Sequence, residues 1–230
     1  MRWIITTIIA LVAGFAGAAA WDYSGWGVDR VRADLIAEPQ WLPEAMTEYQ
    51  AIMMAEQIAP LRAELLTPYP GAVFGNPEGS ITLVEFADYA CGFCRQSLAD
   101  VNALVAANPD LKVVIREYPI LSADSADAAR MALAAADQGR FEAFHNAMFA
   151  QDGVTVETIE NAATQAGVDL DRARASIEAG EFERQLQNNV FLGQTLNLSG
   201  TPAFIVGNKI MVGAVGAEQI GEAIAEARDS

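Results

Sequence analysis

Two cysteines, Cys91 and Cys94, are the only ones in the chain, and Gly92 and Phe93 separate them. Apolar residues at helical spacing follow, so the first cysteine is predicted to lie at the N-terminus of a helix. The free amides and the macrodipole at such an end stabilise a thiolate, which makes Cys91 the predicted reactive thiol. Cys94 lies one turn into the helix, shielded but close enough to attack a mixed disulfide on Cys91. The spacing therefore predicts a pair that cycles between dithiol and disulfide.

Two other uses of the cysteine pair have weaker support. A structural disulfide across so short a loop removes little entropy from the unfolded chain, so it would stabilise the fold little. A closed zinc site needs four ligands, and the single histidine, His145, lies on a helix whose aromatic residues are predicted to be core. We expect no metal site and no cofactor. A copper-handling or holdase module, in which the two cysteines bind metal without redox turnover, stays open as an alternative.

Glu85 and Pro202 are further candidate site residues. Glu85 lies in the apolar run 81–88, which is predicted to be a buried strand leading to the cysteine pair. A buried ionisable group needs a partner or a function, so Glu85 is expected to face inward, with Arg116 on the next strand as its partner. The alternative is a Glu85 side chain that reaches water. Pro202, about 110 residues after the first cysteine, opens another predicted strand, where a missing amide is tolerated.

The amino-acid composition excludes two classes of protein, disordered chains and proteins that bind nucleic acid. The chain has 230 residues, of which 52% are hydrophobic and 19% charged, so it can bury one or two full cores and is not a disordered chain. The formal net charge is -16, with 14 Lys and Arg against 30 Asp and Glu. A phosphate-binding surface needs clustered cations, so nucleic acid is excluded as an expected partner.

Residues 1–20 form a predicted export element, in which Arg2 precedes the uncharged run 3–20. Two interpretations stay open. The alanines before Trp21 offer small residues for cleavage of a signal peptide, whereas Trp3 and Trp21 could anchor an uncleaved span at the two membrane surfaces. Under both, the rest of the chain lies in the periplasm, where disulfides persist.

Segment 21–66 is predicted to be helical, with a break at Pro60 because proline removes a backbone donor. Part of it carries an apolar stripe at alternating spacings of four and three residues, formed by Leu42, Met46, Tyr49 and Met53. The stripe suggests self-association through residues 29–66. The following segment, 67–80, is rich in proline and glycine and is predicted to be a linker.

The remainder follows the order of an α/β domain. Strands are predicted at 81–88, 111–120, 202–206 and 209–215. Helices are predicted at 91–107, 126–137, 141–149, 156–166, 171–195 and 220–227. A domain formed by 81–121 and 198–230, interrupted by a helical insertion at 122–197, accounts for this order.

Two motifs give the order its specificity: Phe86-Ala-Asp-Tyr-Ala-Cys-Gly-Phe-Cys94 and Gly200-Thr-Pro-Ala-Phe204. With the element order, they resemble the DsbA-like branch of the thioredoxin superfamily from about Pro70 to Glu226. The resemblance implies a thioredoxin fold with an inserted helical domain, preceded here by the N-terminal helical segment. It also implies a cis Thr201–Pro202 bond packed against the cysteine pair, and a Glu85 that relays the proton of Cys94. The implied substrate-binding residues are Thr201, Pro202, Gly92 and Phe93.

The resemblance implies a periplasmic thiol-disulfide oxidoreductase, most simply a dithiol oxidase, acting on exported protein thiols or disulfides and recycled by a membrane redox partner. Two departures favour alternatives. The dipeptide Gly92-Phe93 replaces the Pro-His of DsbA, and Thr201 resembles the residue of periplasmic disulfide isomerases. Segment 29–66 also resembles the N-terminal part of ScsC-like proteins, some of which self-associate. An isomerase or reductase kept reduced by a membrane donor is therefore the alternative within the same chemistry.

Overall fold

The computed structural model describes residues 2–23 and 26–228. The chain divides into two compact units, Met1–Ile52 and Met53–Ser230. The first unit is helical. Its helices are α1 (Arg2–Tyr23) and α2 (Trp26–Ala37), and α3 (Trp41–Ile58) begins within it.

Helix α1 contains Trp3–Trp21, a 19-residue stretch that is long and apolar enough to cross a membrane. It is the one helix of this kind in the described part of the chain. An N-terminal signal sequence has the same length and composition, so signal peptide and anchor both remain predictions.

The second unit is built on a five-stranded sheet in the order β1-β3-β2-β4-β5. The strands are β1 (Val73–Gly75), β2 (Ile81–Ala87), β3 (Leu111–Glu117), β4 (Ala203–Val206) and β5 (Lys209–Val212). Strands β2 and β3 pair in parallel, and the other pairs are antiparallel. Both faces of β2 and β3 are covered, which explains why these strands are nearly continuous apolar runs. The predicted thioredoxin fold of the α/β class is confirmed.

Helices cover both faces of the sheet. After a 3-10 turn at Ala59–Leu61 come α4 (Arg62–Leu66), α5 (Gly92–Ala107), α6 (Ala123–Ala136), α7 (Phe141–Phe149), α8 (Val156–Gln165), α9 (Leu170–Glu178), α10 (Glu183–Thr195) and α11 (Gly216–Arg228). Helices α6 to α10 follow β3 and precede β4, where the insertion was predicted. The predicted helix 171–195 is two helices, because the chain turns at Gly180 with a φ of +71° that suits glycine.

The segment between the N-terminal helices and β2 differs from the prediction. The predicted linker 67–80 contains β1, which pairs with β3. The predicted separation of residues 29–66 from the catalytic domain is wrong in its last part, because Ile58 and Leu65 are buried in a core cluster with residues of β2 and β3. The break at Pro60 is confirmed, because Pro60 lies in the 3-10 turn Ala59–Leu61 that follows the end of α3.

Candidate functional site

The turn between β2 and α5 carries the cysteine pair. Cys91 is the N-cap residue of α5, with an extended backbone, and Cys94 lies in the first turn of the helix. Asp88 shapes this turn: its Oδ1 accepts a hydrogen bond from the Ala90 amide at 2.8 Å, and its carbonyl accepts one from the Cys91 amide at 3.0 Å. Both cysteines are free, so the structure represents the dithiol form.

The same Asp88 carboxylate reaches the loop after β3. Its Oδ2 accepts hydrogen bonds from the amides of Ile120 at 2.9 Å and Leu121 at 3.0 Å. The predicted strand 111–120 therefore ends earlier, at Glu117, since these amides bond to a side chain and the intervening proline has no amide. Sequence reasoning missed Asp88, although an aspartate at the end of a strand is typical of such turns.

The start of β4 approaches the cysteine pair. The Thr201–Pro202 peptide bond is cis, as the resemblance implied. The Sγ of Cys91 donates a hydrogen bond to the carbonyl oxygen of Thr201 at 3.1 Å. The fold thus brings together residues 110 positions apart in the chain. The Thr201 hydroxyl is buried and has no hydrogen-bond partner in the dithiol form, yet it lies where it would stabilise an ionised Cys94.

The two cysteines differ in exposure, although both are buried. Cys91 retains 7% of its surface and Cys94 only 1%, while Phe93 between them is 63% exposed. Cys91, the predicted reactive thiol, is thus only slightly accessible to solvent. Burial raises the pKa of Cys94 far above that of a free thiol, and the nearby Glu85 carboxylate raises it further. The Asp88 amide and the Thr201 hydroxyl oppose this rise in pKa to a smaller extent. In the dithiol form Cys94 is therefore a neutral thiol.

Glu85 faces the buried thiol, as expected from the strand pattern. It is 3% exposed, and no group in the described part of the chain donates a hydrogen bond to it. Its neighbours on the same face of β2, Leu83 and Ala87, belong to the core cluster that contains both cysteines. Burial raises the pKa of Glu85 to about 8. Such a carboxyl can be neutral or ionised near neutral pH, which a proton relay requires.

The predicted pairing of Arg116 with Glu85 is wrong. Glu85 is paired with Ile115 in the sheet and Arg116 with Phe86, so the two side chains point to opposite faces. Arg116 instead donates hydrogen bonds to Asn189 Oδ1 and to carbonyl oxygens at the end of α4. These acceptors belong to Glu64, Leu65 and Thr67.

A second buried carboxyl, Glu117, lies at the end of β3 and was missed from the sequence. The Tyr89 hydroxyl donates a hydrogen bond to Glu117 Oε1 at 3.0 Å, and the Tyr89 oxygen is 3.0 Å from His145 Nδ1. Burial lowers the pKa of His145 to about 3, so the ring is neutral. The alternation of Val113, Ile115 and Glu117 on one face of a strand could have identified this acid.

These residues do not form a recognisable metal site. No cluster of three or more His, Cys, Asp or Glu side chains that could hold a metal ion occurs in the described ranges 2–23 and 26–228. Two cysteines alone would supply half of a tetrahedral site.

Comparison with known proteins identifies the domain. The model of the DSBA-like thioredoxin domain matches residues 82–225, more than half of the chain. The chain belongs to this family. The matched residues include both cysteines, Glu85 and the Thr201–Pro202 bond. They cover β2 from its second residue, β3 to β5 and the helices inserted between β3 and β4, whereas β1 lies outside the match.

Solved structures of DsbA-like and ScsC proteins are similar to the chain. A thioredoxin-like oxidoreductase from Silicibacter pomeroyi DSS-3 is 39% identical, with a TM-score of 0.70, and the alignment covers 74% of this chain and 98% of that one. The thiol-disulfide exchange protein α-DsbA2 from Wolbachia pipientis is 27% identical, with a TM-score of 0.70 and coverage of 77% and 97%. A linker-deletion variant of Proteus mirabilis ScsC is 25% identical, with a TM-score of 0.67 and coverage of 86% and 92%. The domain is thus one of the thiol-disulfide oxidoreductase family.

Curated relatives of the DSBA-like domain are longer proteins. The Na⁺/H⁺ antiporter NhaA 3 of Salinispora tropica is 29% identical over 158 residues, which are 67% of this chain and 24% of the antiporter. The chain therefore spans about a quarter of the length of the curated relatives it matches.

Proposed function

We propose that this protein is a periplasmic thiol-disulfide oxidoreductase that uses Cys91-Gly92-Phe93-Cys94 to oxidise dithiols of exported proteins. The observation that carries the proposal is the position of the Cys91 sulfur, at the N-cap of α5 and 3.1 Å from the carbonyl oxygen of Thr201. A sulfur at a helix N-terminus is a good leaving thiolate, and the buried Cys94 is a poor one. The two sulfurs of the pair are therefore chemically distinct.

The first step uses the disulfide form. A substrate thiolate attacks the Cys91 sulfur, the bond between Cys91 and Cys94 breaks, and Cys94 leaves as a thiolate. Neutral Glu85 gives its proton to Cys94, because a buried thiolate without a cation is costly. The mixed disulfide between substrate and Cys91 remains.

The second step releases the product. A second thiolate of the substrate attacks the substrate sulfur of the mixed disulfide, and Cys91 leaves as the thiolate that the helix N-terminus stabilises. The substrate gains a disulfide and the enzyme becomes the dithiol. A membrane redox partner then accepts two electrons and restores the enzyme disulfide, in a reaction that releases the dithiol protons.

The substrate would bind along the start of β4 and over the exposed part of the cysteine turn. Thr201 would offer its main-chain groups to an extended peptide, as in strand addition. Pro202 has no amide and its carbonyl oxygen accepts a hydrogen bond from the Gly213 amide, so it would contact the peptide through its ring. Gly92 and the exposed Phe93 would contact the same peptide from the other side of Cys91.

Oxidation of a peptide with two cysteines tests this function. We expect turnover by the parent with an added oxidant and none by Cys91→Ser. In cells, Cys94→Ala should accumulate mixed disulfides with exported proteins, because Cys94 can no longer release them, whereas Cys91→Ala should accumulate none. Failure of the parent to oxidise the peptide, together with stoichiometric Cu(I) binding, would favour the copper-handling or holdase alternative.

An isomerase or reductase is the second candidate. The Thr201 hydroxyl supports it, since this buried group is free to stabilise the Cys94 thiolate, the nucleophile that releases trapped substrates. The equilibrium reduction potential against glutathione discriminates between the two directions. A potential near that of DsbA, about -120 mV, favours the oxidase, and one near that of thioredoxin, about -270 mV, favours the reductase.

Export to the periplasm would depend on α1, either as a cleaved signal peptide or as an inner-membrane anchor at residues 3–20. The intact mass of the protein recovered from the periplasmic and membrane fractions distinguishes the two. A protein that begins near Trp21 indicates cleavage, and a membrane-bound protein that retains residues 1–20 indicates an anchor.

A further inference from the structure

Two glycines flank the reactive sulfur and have no evident role inside the molecule. Gly92 follows Cys91 and opens α5, and Gly200 precedes Thr201, whose carbonyl oxygen lies 3.1 Å from the Cys91 sulfur. A Cβ atom added to either glycine would meet no heavy atom within 4 Å outside its own chain neighbours and helix. Neither glycine has a positive φ, so its backbone conformation suits other residues as well. Both positions would therefore accept alanine without strain or clash.

The other glycines of the second compact unit, all within the described residues, have internal explanations with one exception. Most have a positive φ, the region that favours glycine. Two are crowded by other atoms: at one of them, Gly193, a Cβ atom would lie 2.6 Å from the Tyr118 ring. The exception is Gly221 on α11, where a Cβ atom would make an ordinary van der Waals contact. Glycines without an internal reason are thus concentrated beside Cys91.

The main chain around Gly200 is also free of internal pairing. Strand β4 begins at Ala203, and Pro202 is already paired with Gly213 through its carbonyl oxygen. The amides of Gly200 and Thr201 donate no hydrogen bond to any described residue of the chain. Free amides next to a residue without a side chain form a surface to which another main chain can come close.

A mixed disulfide on Cys91 requires such an approach. The Cα atoms of two disulfide-bonded cysteines lie about 4.4–6.8 Å apart, so the main chain of a substrate cysteine is held against the residues beside Cys91. Only 7% of Cys91 is exposed, whereas Gly92 is exposed and Gly200 is half-buried. A side chain at either glycine would occupy space that a polypeptide needs. A small dithiol has no chain on either side of its sulfur and needs less of this space.

We propose that Gly92 and Gly200 are specificity-determining residues: their bare main chain is the surface on which the polypeptide segment around the reacting cysteine lies. The inference rests on the proposed function and adds the class of substrate to it, an extended polypeptide segment in preference to a small dithiol. Exchange at Cys91 and Cys94 follows the same steps with both classes. A side chain at either glycine therefore selects against polypeptides and leaves small dithiols unaffected.

The experiment compares two reductants of the disulfide form of the full chain. One is an unstructured peptide with two cysteines, and the other is dithiothreitol. Reduction of the enzyme is followed by mass spectrometry of alkylated samples, which gives a second-order rate constant for each reductant. Gly92→Ala and Gly200→Ala should lower the rate constant for the peptide by about tenfold, because a displaced main chain misplaces the attacking sulfur. The rate constant for dithiothreitol should stay within about twofold of the parent value.

The ratio of the two rate constants separates contact with the peptide from a change at the cysteines. A change in reduction potential or in the pKa of Cys91 would alter both rate constants in the same direction, so their ratio would stay constant. Gly200→Val should lower the ratio further than Gly200→Ala, because its side chain is larger. The alanine variants should fold like the parent, since the added Cβ atoms meet open space.

Gly221→Ala is the matched control, because Gly221 also lacks a positive φ and its added Cβ atom would lie 3.6 Å from Leu104 Cδ2. Both rate constants of this variant should equal those of the parent. If Gly200→Ala and Gly200→Val keep the parent ratio, or lose reaction with both reductants equally, the inference is overturned. A parent that does not react with the peptide contradicts the proposed function itself.

Discussion

The Oδ2 of Asp88 lies 2.9 Å from the amide nitrogen of Ile120, and this hydrogen bond joins the cysteine turn to the loop after β3. Asp88 also accepts hydrogen bonds from the amides of Ala90 and Leu121. Its side chain is buried, and all three of its partners are donors. A carboxylate, which only accepts, is therefore the side chain that satisfies this site.

Asp88→Asn should destabilise the protein, because the amide of asparagine must point its NH₂ group at a main-chain donor. We expect a loss of about 1–3 kcal/mol in the free energy of unfolding, the penalty of an unmade buried hydrogen bond. Denaturant unfolding measures it. Asp171→Asn, at a side chain that is 98% exposed, is the control and should change stability little. Equal stability of both variants would show that Asp88 does not hold the turn.

The apolar run around Glu85 predicted that this acid is buried, but it did not predict which residues surround the carboxyl. Pairing of Glu85 with Arg116 failed because a sequence does not fix the register of parallel strands, and a shift of one residue reverses the face of a side chain. Glu117 was missed because its partners, Tyr89 and His145, come from distant elements. The early end of β3 depends on Asp88, a side chain that replaces main-chain partners.

Glu85 should make stability depend on pH. Its pKa is about 8 in the folded protein and near 4.5 in the unfolded chain, so its contribution is fully present below pH 4.5 and is lost as the pH rises to about 8. In this range the loss amounts to about 1.4 kcal/mol for each pH unit. At pH 4.5 the free energy of unfolding of Glu85→Gln should be equal to or lower than that of the parent. At pH 8 it should be higher than that of the parent.

The comparison is made by denaturant unfolding of parent and variant at each pH, because His145 contributes in the opposite sense below pH 6.5. The pKa of His145 is about 3 in the folded state, so this residue stabilises the fold as pH rises from 3 to 6.5 in both proteins. Because His145 is present in both proteins, its contribution cancels when the free energy of unfolding of one protein is subtracted from that of the other. If the parent and Glu85→Gln differ by the same free energy of unfolding at pH 5 and at pH 8, the prediction is wrong. The Glu85 carboxyl would then be in contact with water in the folded protein.

The apolar stripe of α3 should mediate self-association. Leu42, Met46, Tyr49 and Met53 are all exposed in the structure, at the spacing of a coiled-coil seam. In a protein that begins at Trp21, changing both Met46 and Tyr49 to Glu should reduce the mass in solution to that of a monomer. Light scattering measures this mass.

Substitution is preferable to removal of residues 21–67, because Ile58 and Leu65 belong to the core and their loss would unfold the domain. As a control, Glu48→Lys changes charge on the same helix outside the stripe and should leave the mass unchanged. If the parent protein is already a monomer in solution, the prediction of self-association is wrong.

Thr201→Val tests the direction of catalysis. The hydroxyl of Thr201 is buried without a partner in the dithiol form and favours the thiolate of Cys94, whereas valine of similar volume can only pack. The variant should raise the pKa of Cys94 further and slow its attack on the mixed disulfide. The second substrate thiol then resolves more of the intermediates, so the ratio of dithiol oxidation to repair of scrambled disulfides should rise.

The loss of one hydrogen bond, about 1 kcal/mol, corresponds to about 20 mV in the reduction potential. Both quantities are measured on parent and variant under one glutathione buffer, with Thr195→Val as the exposed control. An unchanged ratio and an unchanged potential would mean that Thr201 does not set the direction of exchange.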